Sequence, residues 1–206
     1  MENNYIFQYW DAIQNGTVTV GEWIRTIYKI LVDGLKSGKW DFDGEKADKA
    51  ITFIENFCHH SEGRNDLLKL ELWQKAIVSA IFGIMDKKTG YRQFREVFVV
   101  VARKNGKTLF AAAIAAYMAY IDGEYGAKVY FLAPKLDQAD LVYDAFYQIV
   151  QADDELESIT KKRRSDIYIK EFNTSIKKIA FNSKKSDGFN PQMVVNDEME
   201  ACPGDQ

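Results

Sequence analysis

One stretch leaves this chain few ways to fold. Residues 99–113 read VVVARKNGKTLFAAA. The apolar, β-branched run Val97 to Val101 has the near-continuous apolarity of a strand buried on both faces of a parallel sheet. It stops at a polar turn, Arg103-Lys104-Asn105-Gly106-Lys107-Thr108, and an alanine-rich helix follows at once. Strand, Gly-Lys-Thr turn and helix is the layout of a phosphate-binding loop. Backbone N–H groups at the helix start, aided by the helix dipole, cradle phosphate. The lysine reaches the terminal phosphates and the hydroxyl holds Mg²⁺. One departure is plain: the standard pattern opens with glycine, and that position is Val101.

The whole chain sets the outer limits. Its 206 residues suit one domain with an appendage. A hydrophobic content of 47% with 28% charged residues is that of an ordinary globular chain, not a disordered one. The net charge of −3 gives no global nucleic-acid footprint, so any DNA contact must be local. Cys58 and Cys202 are far apart and suggest neither a disulfide framework nor a metal site, and His59-His60 beside Cys58 lacks a second ligand pair at suitable spacing. A reducing compartment fits that usage. The N-terminus, MENNYIFQYWD, lacks the basic start and apolar core of a signal peptide. The longest apolar run, Leu109 to Ile121, is shorter than the ~20 residues that span a bilayer.

Residues 1–92 read as helical. Trp23, Ile24, Ile27, Tyr28, Leu31 and Leu35 recur at helical spacing and predict one buried face. Ala47, Ala50, Ile51, Ile54 and Phe57 form a second such face, and Leu72, Trp73, Ala76, Ile77, Ala80 and Ile81 a third. Then the texture alternates. A strand is expected over Phe94–Ala102, a helix over Leu109–Ile121, a strand over Lys128–Pro134, and a helix over 136–151 with Leu141, Val142, Ala145, Phe146 and Ile149 inward. Such alternation predicts an α/β fold, a parallel sheet with helices on its faces. Beyond Gln151 come a basic run, Lys161 to Arg164, and two short strand-like pieces, Asp166–Lys170 and Ser175–Phe181. The basic run is read as a solvated loop, with a DNA patch or an arginine finger as the sharper options. Last comes Met193-Val194-Val195-Asn196-Asp197-Glu198. A short apolar strand ending in Asp-Glu is what nucleotide hydrolysis needs opposite the loop: one acid on the Mg²⁺ side, one to orient or deprotonate water.

Taken together these motifs resemble the N-terminal ATPase region of the tailed-phage terminase large subunit. ARKNGKT is similar to that family's deviant loop, with an early arginine and a late Gly-Lys-Thr, so Val101 fits the family's habit. LELWQKAIVSAIFG resembles its Trp-Gln segment, and SDGFNPQMVVNDEMEA its glycine-containing loop and Asp-Glu strand. Similar stretches also occur from Asn15-Gly16 through Gly21-Glu22-Trp23-Ile24-Arg25 and from Ala50 to Glu55, so the likeness covers nearly the whole chain.

The resemblance implies an ASCE-type P-loop NTPase sheet flanked by helices, incomplete, with a helical N-terminal subdomain. Residues 1–92 would lead into the nucleotide site and residues 93–206 would form a partial ATPase core. The family's C-terminal nuclease would be absent. Carried over, Arg103, Lys104, Asn105, Gly106, Lys107, Thr108 and Gln74 bind nucleotide. Glu198, Lys107 and Arg103 serve catalysis, and Thr108 and Asp197 hold Mg²⁺. ATP and Mg²⁺ are the implied cofactors. Double-stranded DNA, a portal protein, a terminase small subunit and further copies of the chain in a ring are the implied partners. No membrane is implied, and the setting is the cytoplasm of an infected or lysogenic bacterium. The implied function is the ATPase module of a DNA-packaging motor. A truncated, non-catalytic prophage remnant and a helicase-like ATPase are the alternatives. The helicase reading predicts further nucleic-acid motifs around Pro134, which are not evident.

Overall fold

The computed structural model describes residues 4–60, 63–180 and 190–197. The chain packs as two compact units. One comprises Met1–Glu55 with Lys69–Val100, the other Asn56–Leu68 with Val101–Gln206. Contacts group residues 93–100 with the helical unit and residues 56–68 with the sheet.

The first unit contains α1 (Tyr5–Gln14), α2 (Glu22–Lys36), β1 (Asp41–Phe42), α3 (Gly44–Phe57), α4 (Leu72–Gly83) and β2 (Ile84–Met85). The Asn4 side chain caps α1, its Oδ1 accepting from the Ile6 N–H at 3.0 Å. The stripe Ile6, Tyr9, Trp10 and Ile13 then meets Tyr28, Leu31 and Val32 of α2, with Trp40, Ala76 and Ile84 completing the core. Tyr9 and Tyr28 meet edge to face, their centroids 4.7 Å apart. Close packing demands a glycine where α2 passes Trp40. A Cβ on Gly34 would lie 2.4 Å from the indole. Of the α2 stripe expected to be buried, Tyr28 and Leu31 are buried and Leu35 packs against this core, but its N-terminal part is not covered. Trp23 is 82% exposed, and Ile24 and Ile27 also face solvent. Helical spacing identifies faces, but α2 is apolar on more than one, and only packing chooses among them.

The second unit is built on a five-stranded sheet, ordered β4 (Thr160–Lys162), β5 (Ile167–Ile169), β6 (Thr174–Ala180), β3 (Lys128–Ala133), β7 (Met193–Asn196). β3 runs parallel to both β6 and β7. β4–β5 and β5–β6 are antiparallel, so the parallel β6–β3–β7 part expected from the sequence carries an antiparallel extension. Two helices, α5 (Lys107–Tyr120) and α6 (Leu136–Gln151), pack against each other and the sheet. α5 is buried nearly all round, which its alanines permit. A short helix, α7 (Asp154–Ile159), leads into β4. Phe131 of β3 lies fully buried against Tyr143 and Phe146 of α6, with centroids 6.3 and 5.9 Å away. Leu141, expected inward on α6, is 57% exposed.

The largest departure concerns the run before the loop. No strand forms over Phe94–Ala102 among the described residues. Phe98 is 74% exposed and Val100 93%. Apolarity gives a segment the capacity for a buried strand. A strand also needs neighbours whose N–H and C=O groups complete its ladder, and none is paired with this segment.

Buried ionisable groups give the fold a pH limit. Burial pushes the Cys58 thiol up to about 12, with the Asp153 charge adding to the effect. Burial likewise raises the Tyr143 phenol to about 12, and raises those of Tyr120 and Tyr28. Each group therefore favours its neutral form in the fold. Its contribution is fully present below its ordinary pKa and is lost as pH rises toward the folded value. The melting temperature is expected to be level up to pH ~9 and to fall steadily from there to ~12. A level profile to pH ~12 would overturn this linkage.

Candidate nucleotide site

The geometry at the start of α5 follows from two left-handed residues. Lys104 has φ 68° and Gly106 φ 69°. Gly106 is the N-cap of α5 and, having no side chain, leaves that helix end without a side-chain cap of its own. Helix starts leave N–H groups without intrahelical partners, and an uncapped one offers them to an anion. Asn105 closes the turn on itself. Its Nδ2 donates to the carbonyls of Ala102 at 3.0 Å and Arg103 at 3.3 Å. A Cβ added at Gly106 would meet no atom of the described residues within 4 Å, so the positive φ, not crowding, is what calls for glycine there.

The opposing acid arrives through strand register. β7 pairs with β3 up to Leu132↔Asn196, and the Asp197 N–H extends the ladder to the Leu132 carbonyl at 3.1 Å. Asp197 thus stands just beyond the C-terminal end of a parallel strand, the edge at which such sheets bind ligands. There Lys107 Nζ lies 2.6 Å from Asp197 Oδ1. The lysine side chain is 41% exposed and the aspartate 12%. Two residues far apart in sequence are paired beside the open helix end. Thr108 follows in the first turn of α5, partly buried, while Arg103 and Lys104 are exposed.

The other candidates distribute as follows. Glu198 lies outside the described residues. Gln74 is buried in the helical unit, where Glu71 and Gln74 form a reciprocal capping box for α4. Its Oε1 accepts from the Glu71 N–H at 2.8 Å. Trp73 packs against the core of that unit. In the basic run, Arg163 is held bidentately by buried Asp166, with 2.6 and 2.5 Å contacts. No cluster of three or more His, Cys, Asp or Glu side chains suited to a metal occurs among the described residues. Sequence reasoning missed the use of Asn105 as the staple of its own turn. Asparagine's habit of bonding nearby backbone was the available signal.

Residues 72–206 match the sequence model of the family described as terminase large subunit, ATPase domain. The chain belongs to that family. Membership implies nucleotide use by this terminase domain. The HK97 bacteriophage large terminase, known from a crystal structure, resembles it with a TM-score of 0.62 and 23% identity. That likeness covers 73% of this chain and 30% of the HK97 chain. At that identity it concerns the fold alone. The chain thus spans well under half the length of the terminase it resembles. No curated protein is significantly similar in sequence. No described helix is long and apolar enough to cross a membrane.

Proposed function

We propose that this chain is the ATP-hydrolysing module of a viral DNA-packaging motor, coupling turnover to movement of double-stranded DNA into a procapsid. The single observation that carries the nucleotide site is the Lys107–Asp197 pair, 2.6 Å long, beside the uncapped start of α5. The donor set fits a nucleotide phosphate with a hard divalent cation: open backbone N–H groups, one ammonium, one hydroxyl and one carboxylate.

The proposed roles follow from that placement. Lys107 leaves Asp197 for the β- and γ-phosphates when nucleotide binds. The loop N–H groups around Asn105 and Gly106 hold phosphate oxygens. Mg²⁺, held by Thr108 and Asp197, would neutralise charge at the phosphate oxygens. Glu198 takes the proton of the attacking water, and Arg103 contacts the γ-phosphate. Lys104 adds positive charge at the loop. Gln74 would read the adenine edge, with its Oε1 shared with the α4 cap. In the assembled motor the implied companions are duplex DNA, a portal protein, a small subunit and further copies in a ring, within the cytoplasm of an infected or lysogenic bacterium.

Calorimetry of this chain with ATP, with and without Mg²⁺, tests the site. Binding that tightens with Mg²⁺ is the expected result. Absence of any binding would remove the claim of function and leave the family membership intact. Binding by this chain, with no turnover by the complete motor subunit, would favour the remnant reading.

A further inference from the structure

The Lys107–Asp197 contact holds together two groups that the proposed chemistry needs apart. Lys107 is the first residue of α5, at the positive end of the helix dipole. A cation there gains from a nearby anion, and Asp197 supplies one at 2.6 Å. The two partners differ in freedom. The Asp197 backbone is tied to β3, its N–H on the Leu132 carbonyl at 3.1 Å. Strand alternation puts its side chain on the face of Val195, which pairs with Phe131, and Phe131 meets Phe146 of α6. Lys107 has a long flexible stem, and its side chain is the more exposed of the two. Any exchange of partners therefore begins with the lysine swinging away from a fixed carboxylate.

Each form of ligand can be weighed by what it does to both groups. Free nucleotide draws Lys107 to phosphate. That removes the ammonium from between Asp197 and the phosphates, and like charges brought together oppose binding. A free divalent cation must displace the ammonium from Asp197 while offering it no anion in return. A nucleotide carrying its cation answers both: the phosphates receive Lys107, and Asp197 keeps a cation beside it. Of the three, only this exchange replaces both halves of the contact that is broken.

We propose that the Lys107–Asp197 pair is an internal salt that selects the metal complex of the nucleotide over free nucleotide, with Asp197 as the specificity-determining residue. The proposal rests on the nucleotide-site reading above and adds the form of ligand that the site accepts. Asp197 then does more than offer oxygens to a cation. It opposes binding in the absence of one, by holding Lys107 and by facing the phosphates.

Calorimetry on the full chain tests this, with ATP in EDTA and ATP with Mg²⁺. Asp197→Asn keeps the shape of the side chain and the backbone bond to Leu132 while removing the charge. In EDTA it is expected to bind ATP ~5- to 10-fold more tightly than the parent, the scale of releasing one part-exposed ion pair and its repulsion of phosphate. Mg²⁺ is expected to tighten its binding less than it does for the parent. Asp197→Ala is expected to show the same gain in EDTA and serves if thermal melting finds the amide variant unfolded. Lys107→Gln removes the ammonium that these substitutions release, so in that background Asp197→Asn is expected to gain ~2-fold or less. Asp140→Asn, the same change of charge on α6, is expected to leave affinity in EDTA unchanged. Unchanged or weaker affinity in EDTA for the folded Asp197 variants overturns the proposal and leaves the nucleotide site standing, since a simple cation ligand behaves that way. An equal gain in the Lys107→Gln background, or with Asp140→Asn, also overturns it. A parent that binds ATP neither with nor without Mg²⁺ overturns the nucleotide reading and this proposal together.

Discussion

Lys107→Ala is expected to lower nucleotide affinity by ~100-fold or more while leaving the fold in place. The ammonium donates charge-assisted hydrogen bonds to phosphate oxygens, each worth ~1.5–3 kcal/mol. Its removal also leaves Asp197, now 2.6 Å from Lys107 Nζ, facing phosphate without a cation between them. A loss of ~2.7 kcal/mol already corresponds to 100-fold. The cost to stability is far smaller. The lysine side chain is 41% exposed, and part-exposed pairs contribute ~1 kcal/mol or less. Calorimetry and thermal melting on the same variant separate the two effects. Lys107→Arg keeps the charge but replaces a point donor by a rigid fork, so it should restore only part of the affinity. Unchanged affinity in Lys107→Ala would dispose of the site, whatever the family membership.

Phe131→Ala is expected to destabilise the sheet unit by ~3–5 kcal/mol, out of the ~5–15 kcal/mol typical of a domain. Phe131 is fully buried in the strand between β6 and β7, against Tyr143 and Phe146. Truncation loses the transfer energy of the ring and leaves a cavity that two neighbouring strands cannot easily collapse. Nucleotide binding should weaken along with stability, because β3 holds Asp197 in place through the Leu132 carbonyl. Leu141→Ala on the exposed side of α6 is the control, expected to change stability by ~0.5 kcal/mol or less. Urea unfolding followed by the sheet's own signal distinguishes them. Equal midpoints for the two variants would mean that the β3–α6 contact is not the core of this unit.

Much of this was readable because it is local. The helices over residues 72–83 and 136–151, and the strand over 128–133, end close to where periodicity and punctuation place them. Gly106 was legible because a tight turn into a helix needs a residue that tolerates positive φ. Gln74 was less legible. Its amide suits an adenine edge, but only the folded chain reveals that the amide also caps α4.

The sequence by itself determined the local devices: the helix periods, the turn at Arg103–Thr108, and an acid pair ending an apolar run. Those depend on φ preferences and side-chain spacing within a few residues. Tertiary structure decided which apolar surfaces are covered and which distant groups meet. It left Trp23 and Val100 exposed, denied Phe94–Ala102 a strand, and brought Asp197 to Lys107. The reason is that burial and strand pairing are properties of two partners. A single stretch states only its side of the bargain, and the other side is supplied by chain far away in sequence.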